Sequence, residues 1–153
     1  MIQKITYWFF SVVDAYMHYK YGSRKRKLFI GHPEELVEIG AGYGANFRYL
    51  EPGTKVIAIE PNAGLHRILR ERAQNFEIDL VVYEAFAEEM PLSEASAEMV
   101  VSSLVLCSVK DPEKAISEIK RILKPEGKFI YLEHVKAHNQ PIIGFVQRLI
   151  KVP

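Results

Sequence analysis

Hydrophobic positions along the chain follow two different periods, and their alternation predicts an α/β fold. Short apolar runs of strand length are separated by segments whose apolar residues recur at helical spacing. The strand-like runs cover residues 36–39, 55–60, 79–83, 97–102 and 128–135. Strands that alternate with helices pair in parallel through right-handed crossovers. We therefore predict a doubly wound sheet, mostly parallel, in a three-layer α/β/α arrangement.

The segments between the strands carry signals for helix starts and ends. Asn62 is a suitable cap for the helix after the second strand, and Asp111 with Pro112 begins the helix before the fifth strand. Residues 45–50 are compatible with a further helix. A turn at residues 125–127 separates the last crossover helix from its strand.

The beginning of the chain, residues 1–30, is predicted to be a helical segment. Residues 2–21 read as an aromatic-rich amphipathic helix with Tyr16 on its apolar face. Such a helix packs on the core, covers a pocket as a lid, or lies on a membrane surface. We interpret the basic run at residues 24–27 as a solvated face, and we keep peripheral membrane contact through residues 1–27 as an alternative.

Length and composition fit one globular domain. The chain has 153 residues, 48% of them hydrophobic, which suffices for a single core. We assign residues 1–153 to one domain, with its main α/β part at residues 34–135 and a C-terminal helix at residues 140–150. The 20 basic and 19 acidic residues nearly cancel, so no nucleic acid partner is expected.

Cysteine and histidine usage narrows the chemistry. The single cysteine, Cys107, excludes an internal disulfide and a cysteine-based metal cluster, and it fits a reducing, cytoplasmic compartment. Its apolar neighbours predict a packed core thiol and not a nucleophile. The five histidines lack zinc-ligand spacing, so no metal is expected.

The stretch from residue 36 to residue 47 carries the first candidate chemistry. A short strand runs into Gly40, Gly42 and Gly44 and continues into the helix-compatible segment. Glycine allows a tight turn and lets a ligand approach the backbone where a Cβ atom would collide. A strand, a glycine turn and a helix form the cofactor turn of doubly wound folds. The spacing also suits a nicotinamide cofactor, so the turn alone does not select one.

Two acidic residues flank this turn in the predicted sheet. Glu60 lies 20 residues after Gly40, at the end of the second strand, where a carboxylate accepts hydrogen bonds from ribose hydroxyls. Glu38 lies inside the first strand. It would receive a cofactor ammonium group directly or through water, pair with a buried basic residue, or order the loop. Its negative charge would repel a pyrophosphate, which speaks against a nicotinamide cofactor.

Together these residues resemble the motifs of class I S-adenosylmethionine-dependent methyltransferases. Residues 38–44 and 59–62 are similar to the first two motifs of that family. Residues 87–92 resemble its loop after the third strand, and residues 123–127 resemble its turn before the fifth. The motifs follow one another in the family's order over residues 36–135, which makes the set more specific than the glycine turn.

Three shorter segments resemble a narrower branch of this family, the alkyl thiol methyltransferases with a type 11 methyltransferase domain. They cover residues 44–47, 104–109 and 132–135. The resemblance implies a Rossmann-like fold, S-adenosylmethionine as cofactor and S-adenosylhomocysteine as product.

The resemblance also implies a set of cofactor-binding residues. They are Glu38, Gly40, Gly42, Gly44, Glu60, Pro61, Asn62, Ala87, Glu88, Ser103 and Leu104. The glycine turn and Ser103 would lie at the methionine end, Glu60 at the ribose and Ala87 at the adenine. Many family members have an aspartate where this chain has Phe86, so Phe86 or Glu88 would contact the adenine instead.

By the same resemblance, the chain would transfer a methyl group to a small-molecule acceptor, with a thiol or a lipophilic compound as candidates. His134, at the end of the predicted fifth strand, is either the proton acceptor for a thiol or a structural histidine at the sheet edge. Two other classes remain open, a non-catalytic cofactor-binding or assembly module and a nicotinamide-dependent oxidoreductase.

The family's domain usually continues after the fifth strand with an antiparallel strand pair, for which this sequence has no corresponding segment. The fifth strand would then have an exposed edge. We expect the C-terminal end to associate with a second copy of the chain or with another partner.

Overall fold

The described part of the chain forms a five-stranded parallel sheet with helices on both faces. The structure, a computed structural model, describes residues 2–132, with side chains from residue 14 onward. Its elements are α1 (Ile2–Phe29), β1 (Glu35–Ile39), a 3-10 helix (Phe47–Tyr49), β2 (Lys55–Ile59), α2 (Ala63–Asn75), β3 (Asp79–Tyr83), β4 (Ala97–Ser103), α3 (Pro112–Ile122) and β5 (Leu123–Leu132). The strand order is β3-β2-β1-β4-β5, and every neighbouring pair is parallel. This confirms the predicted doubly wound sheet.

Side chains on the two faces of the sheet build two separate cores. Successive residues of a strand point to opposite faces, so Leu36 and Val37 of β1 belong to different cores. The core on the side of α1 and α2 comprises Phe29, Leu36, Ala41, Phe47, Leu50, Val56, Ala58, Leu69, Ala73, Ile78, Met99 and Val101. The core on the side of α3 comprises Val37, Ile39, Ile59, Ala87, Met90, Ala97, Val100, Ala115, Ile119 and Ile122. Because helices cover both faces of the sheet, the predicted three-layer α/β/α arrangement is confirmed.

The helix starts that the sequence predicts are present. Asn62 caps α2, and its Oδ1 accepts a hydrogen bond from the backbone N–H of Gly64 at 3.0 Å. Asp111 caps α3 in the same way, accepting from the N–H of Lys114 at 3.0 Å, and Pro112 occupies the first turn. Both caps satisfy backbone donors that have no partner inside the helix.

Two local predictions are wrong. Residues 45–50 do not form an α-helix, because only the three-residue 3-10 helix Phe47–Tyr49 follows the glycine turn. The side chain of Asn46 makes no cap bond there and instead reaches toward the sheet. Residues 125–127 form no turn ahead of the fifth strand but lie within β5, where the pairing shifts register between Ala97 and Met99 of β4.

Helix α1 is longer than predicted, and from residue 14 onward it docks through a face that does not include Tyr16. The residues that turn toward the core are spaced at helical intervals; they are Asp14, His18, Gly22, Lys25 and Phe29. Tyr16, which the sequence places on the apolar face, is 58% exposed. Lys25 is buried, so the solvated basic face predicted for residues 24–27 is wrong at this position. The charged residues Asp14 and Lys25 are buried because each has partners on the core.

Several predictions concern residues outside the described part of the chain. These are His134, the C-terminal helix at residues 140–150, the last residues of the predicted fifth strand, and association through the C-terminal end. Like the division of residues 1–153 into segments, they stay predictions. Among residues 2–132, no helix is both long and apolar enough to cross a bilayer.

Candidate functional site

A cleft opens at the carboxyl ends of the strands, where β1 and β4 lie side by side and the chain switches direction across the sheet. Its volume is about 260 Å³. Ligands of doubly wound folds bind at this position. Seven of the predicted cofactor-binding residues line the cleft: Gly40, Glu60, Pro61, Ala87, Glu88, Ser103 and Leu104. The other four, Glu38, Gly42, Gly44 and Asn62, do not line it. Gly42 and Asn62 hold Glu60 through their backbone N–H groups, and Glu38 is connected to Ser103 through Asn46.

Glu60 is held in one orientation by the backbone on either side of it. Its Oε2 accepts a hydrogen bond from the N–H of Gly42 at 2.7 Å, and its Oε1 accepts from the N–H of Asn62 at 2.8 Å. A carboxylate has about four acceptor positions, so both oxygens retain capacity for further donors. The glycine turn and the start of α2 thus present a fixed, buried carboxylate to the cleft.

The glycines of the turn adopt positive φ angles and have different neighbours. At Gly40, with φ of 58°, an added Cβ would lie 2.4 Å from Cγ2 of Val105. At Gly44, with φ of 76°, it would lie 2.5 Å from Cε2 of Phe47. Both distances are far below van der Waals contact. Gly40 therefore shapes the cleft wall, whereas Gly44 allows Phe47 to pack in the core.

Glu38 lies below the turn at one end of a chain of buried side chains. Its Oε1 accepts a hydrogen bond from Nδ2 of Asn46 at 2.7 Å, and Oδ1 of Asn46 accepts one from Nζ of Lys25 at 2.7 Å. Nδ2 of Asn46 also donates to Oγ of Ser103 at 3.1 Å. Burial raises the pKa of Glu38 to about 7, against the opposing effects of Asn46 and the charge of Lys25. Burial likewise lowers the pKa of Lys25.

The loop after β3 is attached to the start of α3. Oε1 of Glu88 accepts hydrogen bonds from the backbone N–H groups of Lys110 at 2.8 Å and Asp111 at 3.3 Å. Glu88 therefore joins the two loops that form one side of the cleft. Phe86 is 55% exposed at the cleft, with the ammonium of Lys110 5.4 Å from its ring centroid. The ring of Phe86 therefore presents apolar surface to the cleft.

A second attachment holds the same loop from below. Nη1 of Arg121 donates to the carbonyl of Leu92 at 2.7 Å, and its Nη2 donates to that of Met90 at 3.1 Å. Glu118 accepts from the N–H of Met90 at 2.9 Å and pairs with Arg121. The hydrogen bonds from Arg121 hold the pKa of Glu118 at about 2. This pair positions the loop that contains Ala87 and Glu88.

The face of α1 described above docks on the residues that follow the glycine turn. Asp14 pairs with Arg48 and, at 3.5 Å, with Arg72 of α2. Nδ1 of His18 lies 2.8 Å from the hydroxyl of Tyr49. A second cavity of about 590 Å³ is lined by Asp14, Ala15, His18, Tyr19, Arg48 and Arg72. Polar contacts thus connect α1 to the segment that carries Asn46.

Lys25 and Asn46 are the residues that sequence reasoning missed. Asn46 lies within residues 44–47, which resemble the alkyl thiol methyltransferase branch, but it was given no role. Lys25 lies in the basic run at residues 24–27, which was interpreted as a solvated face. The one available signal was the helical spacing of Asp14, His18, Gly22, Lys25 and Phe29.

Cys107 is exposed in the loop after β4, so the predicted packed core thiol is wrong. No group of three or more His, Cys, Asp or Glu side chains in the part of the chain that the structure describes could hold a metal ion.

The fold and the cleft define a class of protein, and comparison with known families identifies it. Residues 37–131 match the model of the methyltransferase domain family. The chain belongs to this family, among the class I S-adenosylmethionine-dependent methyltransferases that its motifs predicted.

Individual relatives point to one branch. The chain is 36% identical over 139 residues to the human thiol S-methyltransferase TMT1A, an alignment that covers 84% of this chain and 57% of that protein. It is also 36% identical over 139 residues to the rat thiol S-methyltransferase TMT1B, covering 82% of this chain and 56% of the relative. The chain therefore spans little more than half the length of these relatives.

A solved structure supports the same fold assignment. The S-adenosylmethionine-dependent methyltransferase from Thermotoga maritima superposes with a TM-score of 0.68 at 26% identity. The alignment covers 97% of this chain and 64% of that one.

Proposed function

We propose that this chain binds S-adenosylmethionine in the cleft and transfers its methyl group to a small-molecule acceptor, a thiol in the first instance. The observation that carries the proposal is the orientation of Glu60. Gly42 and Asn62 fix its carboxylate at the edge of the cleft, where it would accept hydrogen bonds from the two ribose hydroxyls.

The chemistry of the cleft fits this cofactor. S-adenosylmethionine carries a sulfonium and an ammonium group, and in the described part of the chain Glu60 and Glu38 provide buried carboxylates near the cleft. Apolar surface from Ala87, Leu104 and the ring of Phe86 suits an adenine base. A dinucleotide would place its pyrophosphate at the glycine turn, close to the charge of Glu38, which disfavours the nicotinamide alternative.

The chain's own residues would act mainly by positioning. The bound cofactor supplies an activated methyl group on its sulfonium sulfur. Glu60 would orient the ribose, Glu38 the amino-acid end and Ala87 the adenine. Holding two reactants in place and excluding water contributes roughly 7–11 kcal/mol to catalysis, so the protein needs little further chemistry.

The acceptor is proposed from the relatives, which are named thiol S-methyltransferases. A thiol reacts as its thiolate, so a nearby proton acceptor would raise the rate. We propose His134 for this role. The exchange His134→Gln should then lower the rate with a thiol far more than the affinity for S-adenosylhomocysteine, whereas a structural histidine would affect both.

Calorimetry with S-adenosylmethionine, S-adenosylhomocysteine and NAD tests the cofactor. We expect the first two to bind and NAD not to bind, and binding of NAD alone would overturn the proposal. A methyl-transfer assay with thiol, phenol and amine acceptors then tests the reaction. Cofactor binding without transfer to any acceptor would favour the non-catalytic module, although the named relatives are enzymes.

Peripheral membrane contact through residues 1–27 is proposed on the exposed side of α1. Tyr16 and Tyr19 are exposed there, and the ammonium of Lys20 lies 5.8 Å from the Tyr16 ring centroid. Aromatic and basic side chains are the groups that interfacial helices place at the headgroups. Cosedimentation with anionic vesicles should detect this contact, and the exchange of both tyrosines for serine should abolish it.

A further inference from the structure

Helix α1 contributes a buried charge to the end of the site where the amino-acid part of the cofactor is proposed to lie. Lys25 is only 6% exposed although it belongs to a basic run at the end of a surface helix. Its Nζ donates to Oδ1 of Asn46 at 2.7 Å. Nδ2 of Asn46 in turn donates to Glu38, so one amide joins the lysine of α1 to the carboxylate of β1.

The lysine determines which way the amide of Asn46 faces. An ammonium group can only donate hydrogen bonds, so Oδ1 of Asn46 must face Lys25. Nδ2 must then face Glu38 and Ser103, which both accept from it. With a flipped amide, the carbonyl oxygen would lie against the carboxylate of Glu38 and repel it.

The lysine also affects the charge state of Glu38. Burial favours the neutral acid and raises the pKa of Glu38 to about 7, whereas the charge of Lys25 favours the carboxylate. Without that charge, a larger fraction of Glu38 would be protonated at neutral pH. A protonated Glu38 has no charge to balance the ammonium group of a cofactor.

We propose that Lys25 is a positioning residue that acts through Asn46 to keep Glu38 oriented and charged for the α-ammonium group of the cofactor. This inference rests on the proposed function. It makes α1 a functional part of the cofactor site, because its buried face carries the lysine at the position that meets Asn46. Lys25 itself does not contact the cofactor.

Three ligands that differ only at the amino-acid end test this role. They are S-adenosylhomocysteine, its decarboxylated analogue, which keeps the amine, and methylthioadenosine, which lacks both amine and carboxylate. In the Lys25→Met variant, calorimetry should show that the first two bind roughly tenfold to a hundredfold more weakly, the range for a charge-assisted hydrogen bond. Methylthioadenosine should bind as it does to the unmodified chain, which also shows that the variant is folded.

Two further variants complete the experiment. Lys27→Met removes an exposed lysine from the same helix and should change none of the three affinities. Asn46→Leu interrupts the connection in the middle and should reproduce the selective loss seen with Lys25→Met.

Each other outcome overturns the inference in a distinguishable way. Loss of methylthioadenosine binding as well would show that Lys25 only stabilises the fold. Loss confined to S-adenosylhomocysteine would make Lys25 a direct ligand of the carboxylate, and unchanged affinities would exclude any role. If the unmodified chain binds none of the three ligands, the proposed function itself fails.

Discussion

Glu38 and Glu60 are both buried acids at the same edge of the sheet, yet different groups hold them. Backbone N–H groups of neighbouring segments fix Glu60, so its orientation follows from the turn itself. A side chain, that of Asn46, fixes Glu38, so its orientation depends on Lys25 in a distant helix. Substitutions at the two acids should therefore weaken the binding of different parts of the cofactor, the ribose for Glu60 and the amino-acid end for Glu38.

Glu60→Gln tests the proposed ribose contact. The exchange removes the charge and places an N–H donor against the backbone donors that now point to the carboxylate. We expect the affinity for S-adenosylhomocysteine to fall by about 1.5–3 kcal/mol, the range for hydrogen bonds to a charged group. Calorimetry should show the same loss for methylthioadenosine, because that ligand retains the ribose. Glu51→Gln, at an exposed position, is the matched control; equal affinities of Glu60→Gln and the control would contradict the contact.

The pKa of Glu38 predicts how cofactor affinity depends on pH. In the free protein this pKa is raised to about 7 by burial, with Lys25 and Glu60 as the nearby charges. A bound ammonium group favours the carboxylate, so binding below pH 7 must release a proton from Glu38. The affinity for S-adenosylhomocysteine should therefore fall by about tenfold between pH 8 and pH 6. Methylthioadenosine should bind equally at both, and a pH dependence of the same size for this ligand would exclude Glu38 as its source.

At the scale of elements, helices α1 and α3 position the loops of the cleft from opposite faces of the sheet. Helix α1 contacts the segment after β1 through Asp14, His18 and Lys25. Helix α3 holds the loop after β3 through Glu118 and Arg121. Each contact joins a helix to a segment far away in sequence, so the shape of the cleft depends on both helices being docked.

The pair of Glu118 and Arg121 should make the fold more sensitive to acid. The pKa of Glu118 is lowered to about 2 from the ordinary value of 4.5, chiefly by the hydrogen bonds from Arg121. The carboxylate therefore contributes stability above pH 4.5, and this contribution is lost as the pH falls toward 2. At pH 7, Glu118→Gln should lower the free energy of unfolding by about 1 kcal/mol, measured by urea denaturation.

The difference between Glu118→Gln and the unmodified chain should shrink as the pH is lowered to 3. Glu126→Gln, at an exposed position in β5, provides the control and should leave the stability unchanged at both values. A difference that stays constant with pH would assign the loss to the hydrogen bond with Met90 and not to the charge.

At the scale of the whole molecule, the sheet separates two cores that differ in how many charged side chains they bury. The buried residues that α3 contributes to its core, Ala115, Ile119 and Ile122, are all apolar. The face under α1 includes buried Asp14, Lys25 and Glu38 beside its apolar residues. Stability should therefore rest more on the α3 side, and the chemistry of the site more on the α1 side.

Ile119→Ala tests this division of roles. The side chain is buried, so its truncation should lower the free energy of unfolding by about 2–5 kcal/mol. Ile116→Ala, on the same helix but only partly buried, should cost less. Urea denaturation measures both variants, and an equal loss at the two positions would contradict the assignment of Ile119 to the centre of this core.

The sequence by itself determined the first four strands, the two helix caps and the glycine turn at residues 40–44. Periodicity locates strands such as Asp79–Tyr83, and Asn62 and Asp111 cap helices through contacts within three residues. Glu60 was predictable for the same reason, since its position follows from strand length and from the Gly40 turn. These features depend on residues that are close together in the sequence, so they can be predicted from the sequence without the tertiary structure.

Only the tertiary structure decided how Glu38 is held and which face of α1 is buried. The partner of Glu38 is Asn46, and the partner of Asn46 is Lys25, which lies 21 residues away in another element. A buried charge is favourable only when such partners are in place. Sequence patterns assign charged residues to solvent by default, so Lys25 was expected on the surface with the rest of its basic run. The burial of Lys25, like that of Asp14, is a property of the docked helix and the sheet together.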